Sequence, residues 1–122
     1  MKAGADVIVV SNHGAHTIDY LPHPLELLEE ISSIIAGRIP IIVDGGFRRG
    51  TDVLKGLALG AQAVGVGRPI LYGLAADGED GVKTVINAMA DELKRAMTMT
   101  GVKNPGHARR DIIFDRVQPF IN

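Results

Sequence analysis

The chain has 122 residues, 46% of them hydrophobic and 22% charged, with 13 basic against 14 acidic side chains and no cysteine. That composition suits a folded domain with its own core. It excludes disulfides, thiolate metal sites and cysteine nucleophiles, and the near-zero balance of charge speaks against a nucleic-acid footprint or a polybasic membrane anchor. No apolar run approaches the ~20 residues of a membrane span, and the first residues lack the apolar core of a signal peptide, so a cytoplasmic location is the default expectation.

In chain order, the first element is a short apolar run, Val7-Ile8-Val9-Val10. It is continuous rather than alternating and β-branched, the pattern of a strand buried on both faces of a parallel sheet. It ends in Ser11-Asn12-His13-Gly14-Ala15-His16. From Pro24, Leu25, Leu28, Ile31, Ile34 and Ile35 recur at helical spacing, with Pro24 suited to the first turn and Gly37 to the left-handed exit. The Glu29-Glu30 pair falls on the solvated side of this helix, and His23 before it reads as an exposed loop residue.

A second strand, Ile41-Ile42-Val43, leads into Asp44-Gly45-Gly46-Phe47-Arg48-Arg49-Gly50. A helix follows from about Thr51, a plausible N-cap, through Val53, Leu54 and Leu57 to Gly60. The third strand, Ala63-Val64-Gly65-Val66, ends in Gly67-Arg68-Pro69 and a short apolar helix. The last helix spans roughly Glu79 to Thr100, with Val82, Val85, Ile86, Met89, Leu93 and Met97 on one stripe. Met89, Met97 and Met99 are expected in or near the core. Residues 1–103 thus form a βαβαβα core of a single α/β domain, 1–122, and residues 104–122, which include His107 and two prolines, read as an irregular tail.

Three βα units do not close a barrel, since an eight-fold barrel takes ~250 residues. The pattern fits part of one or a small open sheet, and either leaves strand edges that self-association would cover. In such sheets chemistry gathers at the C-terminal strand ends. There His13 sits where a general base would project into a cleft, although a plain polar turn has the same spacing. Gly45-Gly46 allow close backbone approach. The helix start with Arg48 or Arg49 suits a phosphate, and Gly67-Arg68 before the next helix repeats that combination. Two adjacent strands ending in glycine plus arginine match the phosphate site after strands seven and eight of a barrel. No set of histidines and carboxylates has metal-ligand spacing.

Taken together, Ser11-Asn12-His13-Gly14, Asp44-Gly45-Gly46, Arg48-Arg49-Gly50-Thr51-Asp52-Val53, Leu57-Ala58-Leu59-Gly60-Ala61 and Gly67-Arg68-Pro69 resemble the FMN-dependent 2-hydroxy-acid oxidases and dehydrogenases. The resemblance runs from about Gly4 to Arg110. It implies a partial TIM barrel, units six to eight, and the oxidation of a small 2-hydroxy acid of lactate or glycolate type. By the same resemblance His13 is the base that takes the substrate's proton, and Ser11 lies near the flavin ring. Asp44, Gly45, Gly46, Phe47 and Arg48 hold the FMN ribityl and phosphate, and Gly67 and Arg68 form the second phosphate loop. One departure stands out: the family carries a carboxylate-binding arginine where this chain has His16, which lacks the bidentate fork. The family's first five strands, with the aspartate that orients the histidine, have no counterpart in these residues. The resemblance therefore implies FMN as cofactor and a 2-hydroxy acid as partner, with the missing wall supplied by a second copy or a complementing half-barrel. The alternatives are a non-catalytic FMN- or phosphate-binding half-barrel and a structural remnant that self-associates without ligand.

Overall fold

The computed structural model describes residues 4–114. Three strands, β1 (Ile8–Ser11), β2 (Ile41–Asp44) and β3 (Ala63–Gly65), alternate with three helices, α1 (Pro24–Ile35), α2 (Gly50–Ala58) and α3 (Arg68–Thr100). The sheet is parallel throughout, in the order β1-β2-β3, with Ser11 beside Asp44 and Asp44 beside Gly65 at the C-terminal ends. Each crossover carries a helix, as parallel pairing requires.

The helix-facing side of the sheet is the core. Leu28 and Val43 are fully buried and Ile41 is 2% exposed, joined by Val10, Ile35, Phe47 and Ala61. Burying each such large side chain contributes about 1.5–3 kcal/mol. The other face differs from the sequence expectation. Val9 is 61% exposed, and Ile42 is half-buried in register beside it, so the strands are buried on one face and not on two. A continuous β-branched run reports a parallel sheet whose second cover is the far side of a barrel, and nothing in residues 4–114 supplies that cover.

Boundaries follow local chemistry. α1 opens at His23, whose Nδ1 accepts from the Leu25 amide at 3.2 Å, while the Glu26 carboxylate accepts from the His23 amide at 3.2 Å. It closes through two left-handed residues, Ala36 (φ 51°) and then Gly37 (φ 72°). α2 starts one residue before the expected Thr51 cap, with Arg49 as the flanking residue, because Asp52 and Glu92 take its first amides. α3 is broken at Asp77 and Gly78, which leave helical geometry, so it is two helices meeting at a corner, the second starting at the expected Glu79. The two arms touch through glycines: a Cβ on Gly73 would lie 2.6 Å from the Gly81 carbonyl oxygen.

One side-chain expectation changes and two others are refined. Met89 and Met97 are half-buried on the α3 stripe, but Met99 points off it and is 87% exposed. Glu29 and Glu30 are exposed, as expected, and the Glu29 carboxylate also pairs with Arg110 Nε at 2.7 Å. Part of the expected irregular tail is ordered into 3₁₀ turns at Pro105–His107 and Arg110–Ile112 that pack against α2; residues 115–122 lie outside those described. Among the described residues no helix is long and apolar enough to cross a membrane.

Candidate functional site

A cleft of about 340 Å³ opens at the C-terminal ends of the strands. A larger hollow, about 830 Å³, lies beside the tail around Lys103 and His107, away from the strand ends. Of the ten site residues expected from the sequence, nine line the first cleft: His13, His16, Asp44, Gly45, Gly46, Phe47, Arg48, Gly67 and Arg68. Ser11 does not line it but bonds Asp44, which does.

The β1 end is built by short side chains. Ser11 Oγ donates to Asp44 Oδ2 at 2.7 Å and accepts the His13 amide at 3.0 Å. Asn12 Oδ1 accepts the Gly14 amide at 3.0 Å, and Asn12 Nδ2 donates to the Pro22 carbonyl at 3.3 Å. These bonds hold His13 (φ 52°), Gly14 (φ 66°) and Ala15 (φ 55°) in a left-handed turn. For His13 and Ala15 that geometry costs roughly 1–2 kcal/mol each, which the hydrogen bonds, at about 1 kcal/mol apiece, offset. The His13 and His16 rings meet in a T-shaped arrangement, centroids 4.2 Å apart at 66°. Among the described residues no side chain hydrogen-bonds the His13 ring. Asp44 is taken by Ser11 instead.

The β2–α2 loop turns through Gly45 (φ 133°) and Gly46 (φ 77°), a conformation that side chains disfavour. Phe47 is 3% exposed and its ring packs beside Gly56, so its side chain pins the loop to the core and only its backbone faces the cleft. The two arginines divide. Arg49 reaches away, to Glu92 Oε1 at 2.7 Å, and Glu92 Oε2 accepts the Gly50 amide at 2.9 Å. The Arg48 and Arg49 amides both donate to Asp52 Oδ2, at 3.1 and 3.0 Å. The start of α2 therefore satisfies most of its own N–H groups, with Asp52 and with Glu92 from α3, and the Thr51 amide is left without an acceptor among the described residues, fewer free donors than the sequence suggests. The side chain that remains for an anion is the Arg48 guanidinium, which has no protein partner among the described residues.

The β3–α3 end supplies the second cation. Arg68 starts α3 behind Gly67, and its guanidinium also has no partner among the described residues. Gly65 permits this assembly, because a Cβ there would lie 2.8 Å from Asp44 Oδ1. The cleft thus holds two unpartnered guanidinium groups and one carboxylate already bound by a hydroxyl. Its net field favours an anion.

The Arg49–Glu92 pair gives a pH dependence. Hydrogen bonds from Arg49 and then from the Gly50 amide hold the Glu92 carboxyl below its usual range, and Glu92 in turn raises the Arg49 guanidinium. A lowered carboxyl adds stability that is present above the ordinary carboxylate range and is lost as pH falls through its folded value. Glu92→Gln is expected to lower the melting temperature at neutral pH and to leave less of the acid-side decline. Melting curves from pH 7 to pH 3 check this, and parallel declines in both proteins would contradict it.

The model for FMN-dependent dehydrogenases matches residues 1–115. The chain belongs to the FMN-dependent dehydrogenase family. It is 58% identical over 101 residues to a peroxisomal (S)-2-hydroxyacid oxidase of Arabidopsis thaliana, covering 83% of this chain and 28% of that protein. It is 55% identical to an L-lactate oxidase of Lactobacillus jensenii, covering 83% of this chain and 25% of that protein. A solved mandelate oxidase variant with a monooxide FMN adduct superposes with a TM-score of 0.86 at 48% identity, over 89% of this chain and 35% of the other. The chain spans about a quarter to a third of the length of the curated relatives it matches. Its fold is accordingly part of an FMN oxidase TIM barrel.

Sequence reading passed over four residues of this family member's site. Asn12 stood inside the Ser-Asn-His-Gly motif without a role, yet it ties the turn. Gly65 sat inside an apolar run. Glu92 lies 43 positions from Arg49 and carries no local signal. His23 is exposed, as expected, but it also caps α1, a role that the usual Ser, Thr, Asp or Asn cap signature does not announce for histidine.

Proposed function

We infer that this chain supplies the phosphate grip and the general base of an FMN-dependent oxidation of a small 2-hydroxy acid. The observation that carries the reading is the meeting of two unpartnered guanidinium groups, Arg48 and Arg68, with His13 in one cleft. The residues fit the cofactor. The Gly45-Gly46 turn offers side-chain-free backbone, and Gly67 opens onto space, with nothing within 4 Å of a Cβ built there. Arg48 and Arg68 would clasp the phosphate, with the Gly45, Gly46 and Gly67 backbones along it and Asp44 and Ser11 toward the ribityl and ring. Bound FMN supplies the two-electron acceptor. His13, held in its left-handed turn, would take the substrate hydroxyl proton on a ring nitrogen as the 2-hydroxy acid becomes a 2-keto acid. His16, touching His13, faces the carboxylate, as a single donor rather than a fork.

A second reading has its own support. The His13 ring has no hydrogen-bonding carboxylate among the described residues, and the sheet face bearing Val9 is uncovered. By itself the chain is then an FMN holder without turnover, and the catalytic wall comes from a second copy or from complementing βα units. Adding glycolate, lactate or mandelate anaerobically to the FMN-loaded chain separates the two. Bleaching of the oxidised flavin, lost in His13→Asn, is the result expected of the catalytic reading. Bound flavin that stays oxidised supports the holder reading. Bleaching that persists in His13→Asn overturns the role of His13.

A further inference from the structure

The geometry points to His23 as a positioning residue for the Gly45–Gly46 turn, a role that only its unprotonated ring can fill. The ring, on an exposed residue, is hydrogen-bonded at one nitrogen and lies close to the loop with the other. Its Nδ1 accepts the Leu25 amide at 3.2 Å, closing the first turn of α1. An accepting Nδ1 carries no proton, so the neutral ring has its hydrogen on Nε2. That Nε2 lies against the loop: a Cβ built on Gly46 would be 3.2 Å from it. The next residue continues the contact, since a Cβ on Gly45 would be 3.0 Å from Pro24 Cγ. The start of α1 is thus a buttress, two residues long, behind the turn whose backbone faces the cleft.

Protonation undoes the arrangement for two separate reasons. A protonated ring has two N–H donors and no acceptor, so Nδ1 then opposes the Leu25 N–H instead of receiving it. The new positive charge also sits at a helix N-terminus, where the macrodipole disfavours it. The cap is lost, the ring turns away, and Gly45 and Gly46 lose their backing. The other titratable or charged groups on the segments meeting there are Glu26, Glu29 and Glu30 on α1, Asp44 at the end of β2, Arg48 and Arg49 on the β2–α2 loop, and His13, His16, Asp19 and Tyr20 on the β1–α1 loop. Glu26 accepts the His23 amide and so holds its backbone, not its ring.

As an effect on FMN this rests on the reading above; as a link between His23 and the turn it does not. His23→Asn separates capping from buttressing, because asparagine caps a helix as well as any residue but cannot reach the loop. His23→Ala removes both. Amide resonances of Gly45 and Gly46 are followed against pH in the full chain, beside the ring protons of His23, together with FMN affinity and melting temperature. In the wild type both glycine amides are expected to shift with the midpoint of the His23 ring, and FMN affinity to fall across that interval. In His23→Asn the shared midpoint disappears and FMN affinity drops several-fold while the melting temperature holds. Glycine amides that ignore the His23 titration, or a His23→Asn protein with unchanged amides, overturn the proposal. Should the wild type bind no FMN, the functional reading fails and the amide titration alone decides the role of His23.

Discussion

Replacing Gly50 with alanine is expected to lower the melting temperature by about 10 °C or more, from a loss of roughly 3 kcal/mol. Gly50 starts α2 where that helix meets α3 backbone to backbone. A Cβ there would overlap the Leu93 amide nitrogen and the Met89 carbonyl oxygen, and would lie 2.6 Å from the Glu92 carbonyl carbon. None of these is the yielding end of a side chain, so one helix has to move. Moving α2 also separates the Gly50 amide from Glu92 Oε2, now 2.9 Å apart, and breaks a charge-assisted bond. Gly67→Ala is the contrast. It has no neighbour within 4 Å of its Cβ and no left-handed backbone, so its melting temperature is expected to stay within a degree or two. Thermal unfolding by circular dichroism compares the two, and equal melting temperatures would contradict the packing argument.

The second large effect is on the cofactor. Arg48→Ala and Arg68→Ala each remove a hydrogen bond to a charged group, worth about 1.5–3 kcal/mol, and are each expected to weaken FMN binding by roughly 10- to 100-fold. If the two arginines grip one phosphate from different loops, as proposed, the double variant is expected to lose measurable binding. Neither guanidinium has a protein partner among the described residues, so both single variants keep their melting temperature. Arg49→Ala reverses the pattern: it breaks the 2.7 Å pair with Glu92, lowers the melting temperature and leaves FMN affinity nearly unchanged. Flavin fluorescence titrations beside melting curves read all three. An Arg49→Ala protein that loses FMN while Arg48→Ala keeps it would reverse the assignment.

Much of this was legible in the residues. The three apolar runs and the helical spacing from Pro24 give the βαβαβα order, and the glycine–arginine strand ends mark the cleft. What stayed hidden depends on distance along the chain. Arg48 and Arg49 are neighbours of one type, and only Glu92, brought over by α3, decides which is structural. The Phe47 ring turns inward because Gly56 leaves room for it in the core, which a loop position does not announce. The same holds for the amides at the start of α2: a helix following Gly-Gly looks like a fully open anion site until Asp52 and Glu92 are seen to take the Arg48, Arg49 and Gly50 amides. The exposure of Val9 is hidden from the sequence for another reason. Sequence pattern reports the environment a strand is suited to, and here the second cover is not among the described residues.

The central claim is that the cleft recognises FMN through its phosphate. Titrating the wild-type chain with FMN and with riboflavin, which differs only in lacking that phosphate, tests it most directly. FMN is expected to bind at least about tenfold more tightly, and the difference is expected to vanish when Arg48 and Arg68 are both alanine. Equal affinity of the wild type for the two flavins would contradict it.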